Sequence, residues 1–186
     1  MKKFLLIGDS IRLGYQDKLL DLISDQALVV APEENCRFSD YTLFNLTTWL
    51  NDTEFDVIQW NNGQWDTCYM QDGKIHTPLL HYLEVQKRIA QILLSKAPRV
   101  VFATTTPVWS EMFSRNIFHS RRNEDIEEYN KEAKDLLSGL GVEINDLYAP
   151  IAVDIKKFIC QDMVHLTEEG GRLCAKQTAE NFLRGY

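Results

Sequence analysis

Phe4-Leu5-Leu6-Ile7, followed directly by Gly8-Asp9-Ser10, is an apolar run that stops at a glycine. Such a run predicts a buried strand that ends in a turn. A helical pattern follows it, so Ser10 is expected at the carboxyl edge of a sheet, where open α/β proteins place their chemistry. The start of the helix would also present free N–H groups and its positive dipole end to this serine.

The rest of the chain alternates between strand and helix patterns. Apolar runs predict strands over residues 3–8, 27–31, 55–60, 99–105 and 142–145. Amphipathic patterns predict helices over residues 13–24, 41–50, 78–94, 124–137 and 167–183, the last with Thr167 as its N-cap. This alternation predicts a parallel sheet covered on both faces. With 186 residues and no low-complexity linker, residues 1–186 are expected to form a single domain.

The composition and charge of the chain argue against several classes of function. A net charge of −7 argues against a nucleic-acid partner, which needs a basic surface. No apolar stretch approaches the roughly 20 residues of a membrane span. The apolar segment before Gly8 is too short for a signal peptide, so the expectation is a cytoplasmic protein, with a secreted protein in its trimmed, mature form as the open alternative. The four cysteines and the scattered His76, His81 and His119 lack ligand spacing, so no metal is expected.

A second segment, Asp162-Met163-Val164-His165, supplies what Ser10 lacks. Ester hydrolysis needs a nucleophile, a base within hydrogen-bond reach and a group that orients the base. Ser10, His165 and Asp162 match these roles in that order. Each piece alone has a structural explanation, since Ser10 can cap a helix and Asp-x-x-His can be a surface pair. Their joint placement at one sheet edge favours catalysis.

Gly8-Asp9-Ser10 and the stretch 162–170 resemble the first and last blocks of the SGNH (GDSL) hydrolase superfamily, and the resemblance covers nearly the whole chain. It implies a flavodoxin-like three-layer α/β/α sandwich with a five-stranded parallel sheet in the order 2-1-3-4-5. It also implies a catalytic triad of Ser10, Asp162 and His165. The implied activity is that of a serine esterase without a cofactor. The favoured substrate is a small acyl ester, with an O-acetyl group on a carbohydrate as one candidate.

The middle blocks depart from the family pattern at the oxyanion hole. After strand 2 the family usually carries a glycine whose N–H stabilises the oxyanion, but the segment 35–40 contains none. The backbone N–H of Cys36 or Arg37 is expected to serve instead, together with that of Ser10.

The strand-3 exit departs as well. The usual Gly-x-Asn-Asp becomes Gly63-Gln64-Trp65-Asp66, which places a tryptophan where an amide donor is expected. The replacement donor is expected from Asn61, Asn62 or Gln64. Asn61 is the favoured one, with Gly63 shaping the turn.

Two other classes stay open. A noncatalytic ligand-binding protein on the same fold is consistent with the missing asparagine. A nucleotide or flavin protein is disfavoured, because residues 8–14 match neither G-x-G-x-x-G nor a phosphate-binding loop. Trp60, Trp65 and Trp109 lie near the predicted strand exits, where they either form platforms for a sugar ring or, as favoured, pack in the core or at the rim. Arg115, Arg121 and Arg122 either meet an anionic substrate or, as favoured, lie in solvent.

Overall fold

A computed structural model of the chain describes residues 1–51, 53–113 and 119–184. The strands are β1 (Lys2–Ile7), β2 (Ala27–Val30), β3 (Val57–Trp60), β4 (Arg99–Ala103) and β5 (Glu143–Asn145). The helices are α1 (Ser10–Ile23), α2 (Ser39–Leu50), α3 (Leu79–Leu94), α4 (Asn123–Ser138), α5 (Tyr148–Ala152), α6 (Ile155–Phe158) and α7 (Glu168–Leu183).

The strands form one parallel sheet, as the alternating pattern predicts, and its order β2-β1-β3-β4-β5 is the one that the family resemblance implies. The register places Ile7 beside Trp60 and Trp60 beside Phe102, so three neighbouring strands end close together. The carboxyl ends of all five strands therefore lie along one edge, and Gly8 follows β1, which lies between β2 and β3.

The apolar run in β1 is continuous because both faces of the sheet are covered. Phe4 and Leu6 pack under α1 and α7, whereas Leu5 and Ile7 pack under α2, α3 and α4. All four side chains are at most 1% exposed. Burial on both faces gives the three-layer α/β/α sandwich.

The helix ends depend on caps that periodicity does not reveal. Helix α1 begins at Ser10, three residues before the predicted start, because the Asp9 side chain caps it. Thr167 caps α7 as predicted, with its hydroxyl accepting from the N–H of Gly170. The short helices α5 and α6 were not predicted, since one turn of helix carries no periodicity. Within the described ranges, no helix combines the length and apolarity needed to cross a bilayer.

Candidate active site

Ser10 is the first residue of α1 and follows the end of β1 by three positions. Capping is left to Asp9, whose Oδ1 accepts the N–H of Ile11 at 2.9 Å, so the Ser10 hydroxyl is not needed for that purpose. The Ser10 N–H belongs to the first turn, where backbone donors have no acceptor inside the helix. The Ser10 hydroxyl is therefore not used as the helix cap. The Ser10 backbone N–H and the positive end of the helix dipole lie beside it.

Asp162 organises the loop that carries His165. Its Oδ1 accepts the N–H groups of Val164 at 3.0 Å and His165 at 2.9 Å, and its Oδ2 lies 2.7 Å from His165 Nδ1. Partial burial raises the pKa of Asp162, but the N–H donors of His165 and Val164 outweigh it and lower the pKa below its ordinary value. An ionised carboxylate only accepts, so Nδ1 carries the proton and Nε2 is left as the basic nitrogen.

Ser10, Asp162 and His165 line one cavity of about 380 Å³, although they come from opposite ends of the chain. Within the described residues, no hydrogen bond joins the Ser10 hydroxyl to His165. Catalytic hydrogen bonds are often long in an unliganded site and tighten when substrate binds. The arrangement has the parts of a nucleophile, a base and a group that orients the base.

The rest of the cavity wall is mostly apolar with one cation. Trp65, Phe113, Met163 and Val164 form the apolar part, and Cys68, His119 and Arg121 also line the cavity. Burial lowers the pKa of the Arg121 guanidinium from its ordinary value, although an arginine stays protonated at any physiological pH. The prediction that Arg121 lies in solvent is therefore wrong. The path of the loop after β4 brings Arg121 to the cavity wall, and the sequence pattern does not reveal that path.

The other two arginines of that group differ from Arg121. Arg122 is exposed and lies over the ring of Tyr69, 4.9 Å from its centroid. Arg115 lies outside the described residues.

The three side-chain amides at the strand-3 exit are all engaged inside the protein. Asn61 Nδ2 donates to Asp9 Oδ1 at 2.8 Å, Asn62 Nδ2 to Thr42 Oγ1 at 2.9 Å, and Gln64 Nε2 to the Thr106 carbonyl at 2.8 Å. None of the three is among the described residues that line the cavity. The favoured Asn61 retains a second hydrogen on Nδ2, so its expected role as oxyanion donor stays a prediction.

The strand-2 exit also uses its backbone donors internally. The Cys36 N–H donates to the Gly8 carbonyl at 3.0 Å, and the Arg37 N–H donates to Asn35 Oδ1 at 2.8 Å. Arg37 has a φ of 53°, and its exposed guanidinium lies over Tyr41. Neither residue is among the described residues of the cavity wall, so a role for Arg37 in the oxyanion hole would need a local rearrangement.

Gly63 shapes the turn after β3. Its φ is 141°, and an added Cβ would lie 1.9 Å from Thr105 Oγ1, so a side chain is excluded by both conformation and space. Its carbonyl accepts the Thr67 N–H at 2.9 Å, which closes the turn. The turn places Trp65 at the cavity, where the resembling family has its asparagine.

Asp9 is a buried carboxyl directly before Ser10 in the chain. Burial raises its pKa to about 6, and donors from Asn61 and Ile11 oppose the shift only in part. Its Oδ2 has no hydrogen-bond partner within the described residues. The protonated form is therefore favoured by folding, and the stability that it contributes is lost as the pH rises from about 4 towards 6 and above.

Replacing Asp9 with asparagine is expected to stabilise the protein at alkaline pH. The amide keeps the cap and the acceptor for Asn61 while removing the buried charge, which is worth up to about 3 kcal/mol at pH 8 and little at pH 4. Urea unfolding at both pH values measures the difference. Asp17→Asn, at an exposed position of the same helix, is the matched control. Equal pH dependence in Asp9→Asn and the wild type would contradict the expectation.

The fold is the feature that the chain shares with known proteins. The five-stranded parallel sheet in the order 2-1-3-4-5 between helical layers is the α/β fold of the SGNH hydrolases. No family model matches the sequence, and no curated protein gives a significant match.

Solved structures that share the fold across nearly the whole chain include GDSL/SGNH lipases and acylhydrolases as well as acetyl xylan esterases. A lipase/acylhydrolase from Enterococcus faecalis superposes with a TM-score of 0.80 at 21% identity, covering 98% of this chain and 95% of that one. An acetyl xylan esterase gives 0.77 at 16% identity, with 97% and 100% covered. A member of the lipolytic G-D-S-L family from Veillonella parvula DSM 2008 gives 0.75 at 18% identity, with 98% of each chain covered.

Proposed function

We propose that the protein is a serine esterase that uses Ser10, His165 and Asp162 as a catalytic triad. The observation that carries the proposal is the shared cavity, which is lined by a serine at a helix N-terminus and by a histidine whose Nδ1 is held by a carboxylate. The resemblance of both segments to the SGNH blocks and the likeness of the fold to solved esterases support the same assignment.

The mechanism follows from the protonation states of Ser10, His165 and Asp162. His165 Nε2 accepts the Ser10 proton while Oγ attacks the acyl carbonyl, and Asp162 stabilises the imidazolium that forms. Collapse of the tetrahedral intermediate passes that proton to the leaving alcohol and leaves an acyl-enzyme. Water then attacks the acyl group with His165 again acting as base. The Ser10 N–H donates to the oxyanion in both steps.

The cavity supports a small acyl group on a polar scaffold as substrate. A volume of about 380 Å³ is at the small end of ligand sites. The aromatic face of Trp65 in the wall suits the apolar face of a sugar ring. An acetyl ester of a carbohydrate fits these features, and acetyl xylan esterases are among the proteins with this fold.

A fluorophosphonate probe tests the proposal directly, because it reacts only with an activated serine. We expect one probe per chain in the wild type, attached to the peptide that contains Ser10, and no labelling in Ser10→Ala. His165→Ala should be labelled at least about 100-fold more slowly, since the base is missing. Intact-protein and peptide mass spectrometry measure both results.

The same experiment separates the enzyme from a noncatalytic binding protein. Ser24→Ala, at the opposite end of α1, is exposed and should be labelled like the wild type. Absence of labelling in a folded wild-type protein would contradict the esterase and favour the binding protein.

A further inference from the structure

The oxyanion hole of this protein lacks a preformed second donor from the expected places. The side-chain amides of Asn61 and Gln64 donate elsewhere, and the N–H groups of Cys36 and Arg37 are engaged within the chain. Of the expected donors, only the Ser10 N–H belongs to a described residue of the cavity wall, since Asn61, which keeps a second Nδ2 hydrogen, is not among those residues. One donor is less than acyl-transfer sites usually employ, and the loss of a donor costs a factor of about 10² to 10³ in kcat.

Arg121 lines the same cavity as Ser10 and is held beside the turn that follows β3. Its Nε donates to the carbonyl of Gln64, the residue directly before Trp65, and its Nη1 donates to the His119 carbonyl at 2.9 Å. Trp65 occupies the position of the family's asparagine, so the guanidinium is anchored on the same turn that would have carried the amide. Arg121 also interacts electrostatically with Asp9, the neighbour of Ser10.

The guanidinium has donor capacity left for a ligand. Two carbonyls fix its plane, and within the described residues Nη2 has no hydrogen-bond partner and the side chain forms no ion pair. Arg121 is also the only arginine or lysine among the described residues that line the cavity. A fixed, partly desolvated cation with free N–H groups stabilises developing negative charge more strongly than a neutral amide does.

We propose that Arg121 is a catalytic residue whose guanidinium donates to the oxyanion, in place of the asparagine that the family carries at the Trp65 position. As the bond from Ser10 Oγ to the acyl carbon forms, the carbonyl π electrons move to oxygen, and Arg121 and the Ser10 N–H hold that charge. When the electron pair returns, the bond to the leaving oxygen breaks and the proton on His165 goes to the alcohol. Arg121 keeps its protons throughout. This role rests on the proposed esterase function.

The test measures kcat and KM separately for Arg121→Ala, using neutral p-nitrophenyl acetate and anionic p-nitrophenyl hemisuccinate. We expect kcat to fall by about 10² to 10³ for both esters, with KM changed by less than about threefold. Added methylguanidinium should restore part of the kcat in Arg121→Ala and leave the wild type unaffected. Arg122→Ala is the matched control, because its exposed guanidinium lies over Tyr69, and it should keep wild-type kinetics.

The possible outcomes separate this role from others. An effect confined to KM for the hemisuccinate would make Arg121 an anchor for a substrate carboxylate, and an unchanged kcat would remove it from the reaction; either result overturns the proposal. If Arg121→Ala does not fold, Arg121→Gln takes its place, with an expected loss in kcat of at least about tenfold. Wild-type turnover equal to that of Ser10→Ala would instead refute the esterase function and this inference with it.

Discussion

Replacing Ser10 with alanine is expected to lower kcat for p-nitrophenyl acetate by at least about 10³-fold without unfolding the protein. The hydroxyl is the proposed nucleophile, so the acyl-enzyme cannot form without it. Stability should change by less than about 0.5 kcal/mol, because Asp9 rather than Ser10 caps α1 and alanine is the best helix former. Initial rates and thermal unfolding of the same preparations measure the two effects.

The double variant Ser10→Ala/His165→Ala sharpens this test. Residues that act as one catalytic unit lose activity non-additively, so the double variant should be no slower than either single variant. Ser24→Ala, at the exposed end of the same helix, should keep wild-type kcat. Hydrolysis that persists in Ser10→Ala would place the reaction elsewhere in the molecule.

Much of the fold follows from apolar patterning. The five strands agree with the sequence prediction, because strands buried on both faces read as continuous apolar runs such as Phe4-Leu5-Leu6-Ile7. The order of the sheet was implied by the family resemblance and not by the patterning. The pairing of His165 with Asp162 was also predictable, since three residues of separation keep the two side chains within one turn of chain.

The arrangement of the donors around the cavity was not predictable in the same way. Sequence names the amides of Asn61 and Gln64 as candidates, but their acceptors, Asp9 and the Thr106 carbonyl, come from distant strand exits. For Arg121 the sequence prediction was wrong in the opposite direction, since a residue expected in solvent lines the cavity. Its acidic neighbours Glu124 and Asp125 favoured solvent, whereas the chain brings its guanidinium to the carbonyl of Gln64. Such contacts depend on loop paths, which carry no periodic signal.

Arg12 is the largest feature that sequence reasoning missed. It is 0% exposed, although it lies in the first turn of α1, where a charged side chain usually faces water. Its guanidinium donates to the carbonyls of Gly8 at 3.4 Å, Pro32 at 3.0 Å and Glu34 at 2.6 Å. These bonds tie the segment after β2 to the turn that carries Ser10. Within the described residues Arg12 has no carboxylate partner, so the charge is compensated by backbone carbonyls and by Gln16 Oε1.

Replacing Arg12 with methionine is therefore expected to destabilise the protein by roughly 3–5 kcal/mol. Methionine fills a similar volume but leaves the carbonyls of Pro32 and Glu34 without their donors, and each unsatisfied buried group costs about 1–3 kcal/mol. Arg12→Lys should lose less, since an ammonium reaches some but not all of the three carbonyls. Urea unfolding measures both variants against Arg172→Met, an exposed arginine of α7 whose replacement should cost under about 0.5 kcal/mol. A loss below about 1 kcal/mol in Arg12→Met would mean that water replaces the guanidinium at these carbonyls, and that the segment after β2 does not depend on Arg12 for its position beside Ser10.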